Sequence, residues 1–213
     1  RPVFGDVVRH RDLDAVFAEI GQIRGLGYDS LWIADDTFTL DPSYLEAFCR
    51  RIAPLAMAWT CLSRANGMDL TTMGTMKAAG CHRVDLGLGS GNQATLDLMR
   101  KQITVEQGVR TTRLYREAGI DVAAFFIVGY PGETVAAIED TFRLALTLSL
   151  DEISFNVPVP LPGSALFEHL GGPDEGRDWE EENEVTFLYP SDIDEAWLKR
   201  RIDETMRAFA AKK

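Results

Sequence analysis

The chain has 213 residues, 46% hydrophobic and 26% charged, an ordinary globular composition that argues against disorder and suffices for one sizeable domain. Its 33 acidic and 22 basic residues give a net charge of -11, which speaks against nonspecific nucleic-acid binding. No apolar run reaches the roughly 18 to 20 residues of a membrane span, and the N-terminus lacks a secretory layout, so a soluble cytoplasmic protein is the expectation.

After a lead over residues 1–11, Leu13, Val16, Phe17, Ile20 and Ile23 recur at helical spacing and predict an amphipathic helix closed by Gly25 and Gly27. Residues 30–34 form a short apolar run ending in Asp35-Asp36-Thr37, which reads as a buried strand with polar groups at its C-terminal end. A helix over 43–53, a strand over 57–63 leading to Arg64, and a helix from 69 or 71 to 79 follow. The third strand, 84–88, breaks into Gly87, Gly89 and Gly91, and then come a short helix from Gln93 and a longer one over 105–118. The fourth strand, 122–128, is the most apolar and stops at Gly129-Tyr130-Pro131-Gly132-Glu133-Thr134, a structural turn before a helix over 135–148. The fifth, 153–157, ends at Pro158 in a Pro-rich segment, before a helix over 164–170. Residues 171–184 are acidic and glycine-rich, 185–188 read as a short strand, and 193–211 as a final amphipathic helix.

Alternation of strands and helices predicts βα units and a mainly parallel sheet. Ligands of such sheets sit beyond the C-terminal strand ends, here a polar rim made of Asp35 and Asp36, 63–64, 89–91, 128–129 and 156–158. Asp35 and Asp36 are adjacent and point to opposite faces, so a catalytic dyad is not expected. Arg64 is suited to a carboxylate or a phosphate, and equally to a surface salt bridge. His10, His82 and His169 are far apart and read as surface residues. Cys49, Cys61 and Cys81 lack C-x-x-C spacing and read as reduced, mostly buried thiols. The turn at 87–91 would let backbone approach a ligand closely. With Asp85 it resembles the glycine motif of Rossmann methyltransferases, but it lies on the third strand, and no acidic residue ends the fourth.

A broader resemblance rests on WIADDTFTLD, WTCLSRAN, MKAAGCHRVDLGLGSGNQATLDLMRKQIT, AGIDVAAFFIVGYPGET and VPLPGSALFEHL, in that order. This series resembles the core of radical S-adenosylmethionine enzymes, particularly the subgroup with an N-terminal cobalamin-binding domain. The resemblance implies an α/β fold, a partial (β/α)6 TIM-like barrel with the first strand and cluster loop missing. Residues 1–170 would supply strands two to six, and 171–213 an acidic loop and a C-terminal helix packing on or beyond the barrel. The family's C-x-x-x-C-x-x-C motif, which holds a [4Fe-4S] cluster, is absent from the sequence. The resemblance places it upstream of Arg1, so this chain alone is expected to be inactive. Gly89 stands where the family often has the Glu of G-x-E-S-G.

Carried over by motif, Asp35 would lie near the amino-acid end of S-adenosylmethionine. Arg64 and Ser90, with Gly91 beside them, would approach its carboxylate or ribose. Ile127 to Gly129 would pack beside the adenine, next to Asn156 and Pro158. The implied cofactors are S-adenosylmethionine, a [4Fe-4S] cluster with ligands outside this chain and, in that subgroup, cobalamin on another domain. The implied partners are a small-molecule substrate and an electron donor such as flavodoxin or ferredoxin, with no nucleic acid. The intact enzyme would cleave S-adenosylmethionine reductively to a 5'-deoxyadenosyl radical, for methylation or cyclisation. The competing reading is a non-catalytic βα domain that binds a small molecule or a protein.

Overall fold

The structure, a computed structural model, describes residues 8–170 and 187–212. Its strands are β1 (Ser30–Ile33), β2 (Ala58–Ser63), β3 (Cys81–Gly89), β4 (Asp121–Ile127) and β5 (Glu152–Asn156). Its helices are α1 (Leu13–Gly25), α2 (Pro42–Ile52), α3 (Leu70–Ala78), α4 (Gln93–Leu98), α5 (Val105–Glu117), α6 (Val135–Thr147), α7 (Ala165–Leu170) and α8 (Glu195–Ala210). Side-chain caps fix many starts, among them Asp12, Asp41, Asp69, Thr104, Thr134 and Asp194, each accepting from a backbone N–H of its helix's first turn.

The five strands form one sheet in the order β1-β2-β3-β4-β5, every neighbouring pair parallel. A doubly wound sheet reverses its order at a switch point, whereas a barrel adds strands in one direction. The sequential order therefore excludes the Rossmann arrangement and fits the partial barrel.

Side chains alternate between two faces of the sheet. Trp59 of β2 faces the helices, with its ring centroid 6.0 Å from Phe38 and 5.5 Å from Phe48, and its Nε1 donates to the Ala79 carbonyl at 2.8 Å. Val84, Leu86, Val122, Ala124 and Phe126 share that buried face. The three cysteines are free and buried there as well. Burial pushes the Cys49 thiol up to about 12, and Cys61, beside Cys81, also stands well above the ordinary thiol range, so these thiols are unreactive. The opposite, concave face carries Thr60, Leu62, Arg83, Asp85, Gly87, Phe125 and Ile127 by register. There Arg83 spans from Asp85 (3.1 Å) to Glu152 (2.9 Å), and burial raises the Asp85 carboxyl.

The C-terminal segment builds a second core, in which Phe187, Leu188, Tyr189, Ile193 and Leu198 pack with Val128 of the turn and Ile138 and Phe142 of α6. Arg201 of α8 grips Glu139 of α6 with two hydrogen bonds, at 2.7 and 2.8 Å. Of the expected strand over 185–188, Phe187 and Leu188 lie in irregular backbone without a sheet partner, and the rest falls outside the described residues, as does the acidic stretch 171–184. His82 lies inside β3 rather than before it. Among the described residues no helix is long and apolar enough to cross a membrane.

Candidate functional site

A cleft of about 610 Å3 opens at the C-terminal ends of β2, β3 and β4, bordered by Arg64, Gly87, Arg100, Lys101, Ile127 and Tyr130. One wall is made by the chain that follows α4. Arg100 closes that helix in the left-handed region, φ 51°, with its N–H and that of Lys101 bonded back to Asp97 and Leu96 at 2.9 Å. A non-glycine residue there is strained, and the reversal sends Lys101 back across β3.

The Lys101 side chain lies over two glycines. A Cβ on Gly89 (φ +80°) would stand 2.8 Å from Lys101 Cδ and 3.0 Å from Nζ, and one on Gly87 would stand 3.4 Å from Nζ. Both side chains are missing where the lysine passes. Burial, and secondarily the Arg64 charge, lowers the Lys101 amine to about 8. Among the described residues neither Lys101 nor Arg64 has a carboxylate within ion-pair distance.

The other wall is the turn after β4. Glu133 is buried, and its Oε2 accepts from the N–H of Gly129 at 2.7 Å and of Tyr130 at 3.1 Å, while Oε1 accepts from Thr95 Oγ1 of α4 at 3.1 Å. Burial raises this carboxyl, and the three donors oppose the rise. Gly129 adopts φ 77°, and its carbonyl accepts from Tyr189 Oη at 2.7 Å. The turn thus presents Ile127 and Tyr130 to the cleft on a backbone whose polar groups are occupied.

Of the residues expected at the rim, the structure brings Arg64 and Ile127 together in this cleft. Asn156 pairs in register with Ile127 and has its Nδ2 3.4 Å from Ser154 Oγ, but neither it nor Pro158 borders the cleft. Gly129 supplies the turn described above. Asp35 lies apart, in a groove of about 370 Å3 between α1, β1 and α2 with His10 and Tyr44. His10 there pairs with Asp41 at 3.0 Å and stacks on Tyr44.

The Ser90 hydroxyl is directed into the α6 interface, 2.9 Å from Thr141 Oγ1, and Ser90 is 1% exposed. The N–H of Gly91 donates to the same Thr141 oxygen at 2.9 Å, and a Cβ on Gly91 would stand 2.6 Å from the Asp140 carbonyl. The glycines of this turn make room for Lys101 and for α6. Reading residues singly misses Lys101, because nothing marks it until β3 is seen to lack side chains opposite it.

The cleft joins the cations Arg64, Arg100 and Lys101, which have no carboxylate partner among the described residues, to a side formed by Ile127 and Tyr130. Such an arrangement suits a ligand with an anionic end and a flat, largely apolar end.

The chain matches the Radical SAM superfamily over residues 2–145. It is 30% identical over 169 residues to PH0819, an uncharacterized methyltransferase of Pyrococcus horikoshii, covering 78% of this chain and 37% of that protein. It is also 30% identical over 182 residues to an anaerobic magnesium-protoporphyrin IX monomethyl ester cyclase of Rubrivivax gelatinosus, covering 83% of this chain and 33% of that one. The chain thus spans about a third of the length of these relatives. Among solved structures, the radical S-adenosylmethionine methyltransferase TsrM of Kitasatospora setae, with cobalamin and a [4Fe-4S] cluster bound, superposes with a TM-score of 0.68 at 20% identity over 76% of this chain and 31% of that one. Coproporphyrinogen III oxidase, HemN, of Escherichia coli does so with a TM-score of 0.67 at 17% identity, over 92% of this chain and 45% of that one. With its parallel sheet in barrel order and a family match over most of its length, this chain belongs to the radical SAM superfamily.

Proposed function

We propose that the cleft between Lys101 and Ile127 binds S-adenosylmethionine, and that the full-length protein is a radical S-adenosylmethionine enzyme that methylates or cyclises a small molecule. The observation that carries this reading is that Arg64 and Lys101, neither with a carboxylate partner among the described residues, face one cleft with Ile127. The pair suits the carboxylate of the amino-acid end, and Ile127 and Tyr130 suit the adenine. Bound there, S-adenosylmethionine would supply the 5'-deoxyadenosyl or methyl group that this family's chemistry uses. The chain's own residues hold the ligand by its two ends, and the Glu133-bound turn keeps the apolar end fixed.

The residues present do not fit a [4Fe-4S] cluster. Cys49, Cys61 and Cys81 are buried on the helix face of the sheet, two of them with thiols pushed well upward, and none borders the cleft. We assign the cluster, the electron donor, such as flavodoxin or ferredoxin, and any cobalamin to parts of the full-length protein outside this chain. The cobalamin assignment is supported by TsrM and by OxsB, a second cobalamin-dependent radical enzyme with this core.

Calorimetric titration of the full-length protein with S-adenosylmethionine tests the cleft. Arg64→Ala and Lys101→Met should each weaken binding about tenfold or more, the loss of a charge-assisted contact. Ser90→Ala, whose hydroxyl faces α6, should leave it unchanged. Wild-type affinity in both cation variants would remove the cleft from consideration.

A further inference from the structure

Gly129, next to the cleft residue Tyr130, is held at its carbonyl and Cα by residues that come from the far end of the chain. Tyr189 Oη donates to the Gly129 carbonyl at 2.7 Å, across 60 positions of sequence. The Phe187 ring occupies the space beside the Gly129 Cα, where a Cβ would stand 2.5 Å from Phe187 Cε1 and 2.9 Å from Cζ. Phe187 itself is pinned by its N–H, which donates to Glu195 Oε1 at the start of α8 at 2.8 Å. Glu133 accepts from the N–H of Gly129 and of Tyr130. The Gly129–Tyr130 backbone is therefore clamped at carbonyl and N–H alike, and Ile127 and Tyr130, which border the cleft, flank it in sequence.

We propose that Tyr189, seated by Phe187, is a positioning residue for the adenosine end of the bound ligand. It touches no ligand itself. Its hydrogen bond fixes the orientation of the Gly129 carbonyl and so the tilt of the peptide that leads to Tyr130, while Phe187 excludes water from that bond. The inference rests on the reading of the cleft as an S-adenosylmethionine site, and it assigns a binding role to the segment after residue 186, which packs outside the sheet and contributes nothing to the cleft's lining.

The test uses the full-length protein, adenosine and S-adenosylmethionine as probes, and calorimetry as the readout. Tyr189→Phe removes one hydroxyl and keeps the ring. It should weaken adenosine and S-adenosylmethionine by the same factor, about three- to tenfold, the worth of a buried hydrogen bond. Arg201→Met serves as the control, because it breaks the grip of α8 on Glu139 without touching the turn. It should lower the melting temperature at least as far as Tyr189→Phe does and leave adenosine affinity unchanged.

Equal loss of adenosine affinity in both variants would reduce Tyr189 to a structural residue and overturn the proposal. So would wild-type affinity in Tyr189→Phe. A wild-type protein that binds neither probe would instead sink the reading of the cleft, so the two failures are distinguishable.

Discussion

The two walls of the cleft are built on opposite principles. In the turn after β4, the buried carboxylate of Glu133 meets three donors, and the Gly129 carbonyl and N–H are both bonded. In the wall after α4, Lys101 is a half-buried amine lowered to about 8, without a carboxylate partner among the described residues, and it follows a strained Arg100. The first wall is finished before any ligand arrives. The second holds an electrostatic cost that an anion can offset, a common arrangement at binding sites, where stability is given up for function.

Truncating the satisfied wall should produce the largest effect. Glu133→Ala strands the buried Gly129 N–H, the part-buried Tyr130 N–H and the Thr95 hydroxyl, and we expect about 3 to 5 kcal/mol lost in urea unfolding. Glu133→Gln should retain part of this, since its amide oxygen still accepts. A loss below about 1 kcal/mol would mean that water replaces the carboxylate and that this wall is not prebuilt.

Glycine substitution separates the walls from their supports. Gly91→Ala forces a Cβ against the α6 backbone at Asp140, which cannot swing aside, so about 2 to 4 kcal/mol should be lost. Gly89→Ala meets the flexible Lys101 stem at an unfavourable φ of +80° and should cost less, about 1 to 2 kcal/mol, while displacing the amine. The reverse ranking in thermal denaturation would contradict the packing described for β3.

The smallest effect should carry the opposite sign. Lys101→Met removes a half-buried cation and should stabilise the ligand-free protein by about 1 kcal/mol at pH 7, solvent screening included. The folded value of Lys101 is depressed, so the cost of its charge is fully present below about pH 8 and is relieved as pH rises towards the ordinary lysine value of 10.5. Stability measured between pH 8 and 10 should therefore carry a rising contribution in the wild type that Lys101→Met lacks. Identical pH profiles would show that the amine is solvated.

The sequence made the scaffold legible because its signals are local. Apolar runs such as 122–128, the caps at Asp12 and Thr134, and glycines after helices mark the strands and helices to within a few residues. The collinear motifs then selected a barrel over a doubly wound sheet. The cleft was legible only in part, because Arg64 and Ile127 sit at strand ends, where ligands are expected, whereas Lys101 acquires its role from two absent side chains on another element. The resemblance placed Ser90 near the ligand's carboxylate or ribose, and nothing local announces that its hydroxyl lies 2.9 Å from Thr141, 51 positions later. Partnerships of that range leave no periodic trace along the chain.

The clamp on Gly129 also has an order in time. During synthesis from the N-terminus, β1 to β5 and the cleft residues Arg64, Arg100 and Lys101 emerge well before Phe187 and Tyr189. A nascent chain that has released β5 can already pair its sheet, but the carbonyl of Gly129 must wait for the last segment. The side of the cleft proposed for adenosine is therefore the part completed latest, and translation that stops before α8 would leave a barrel core with its cationic wall in place and the turn after β4 unclamped.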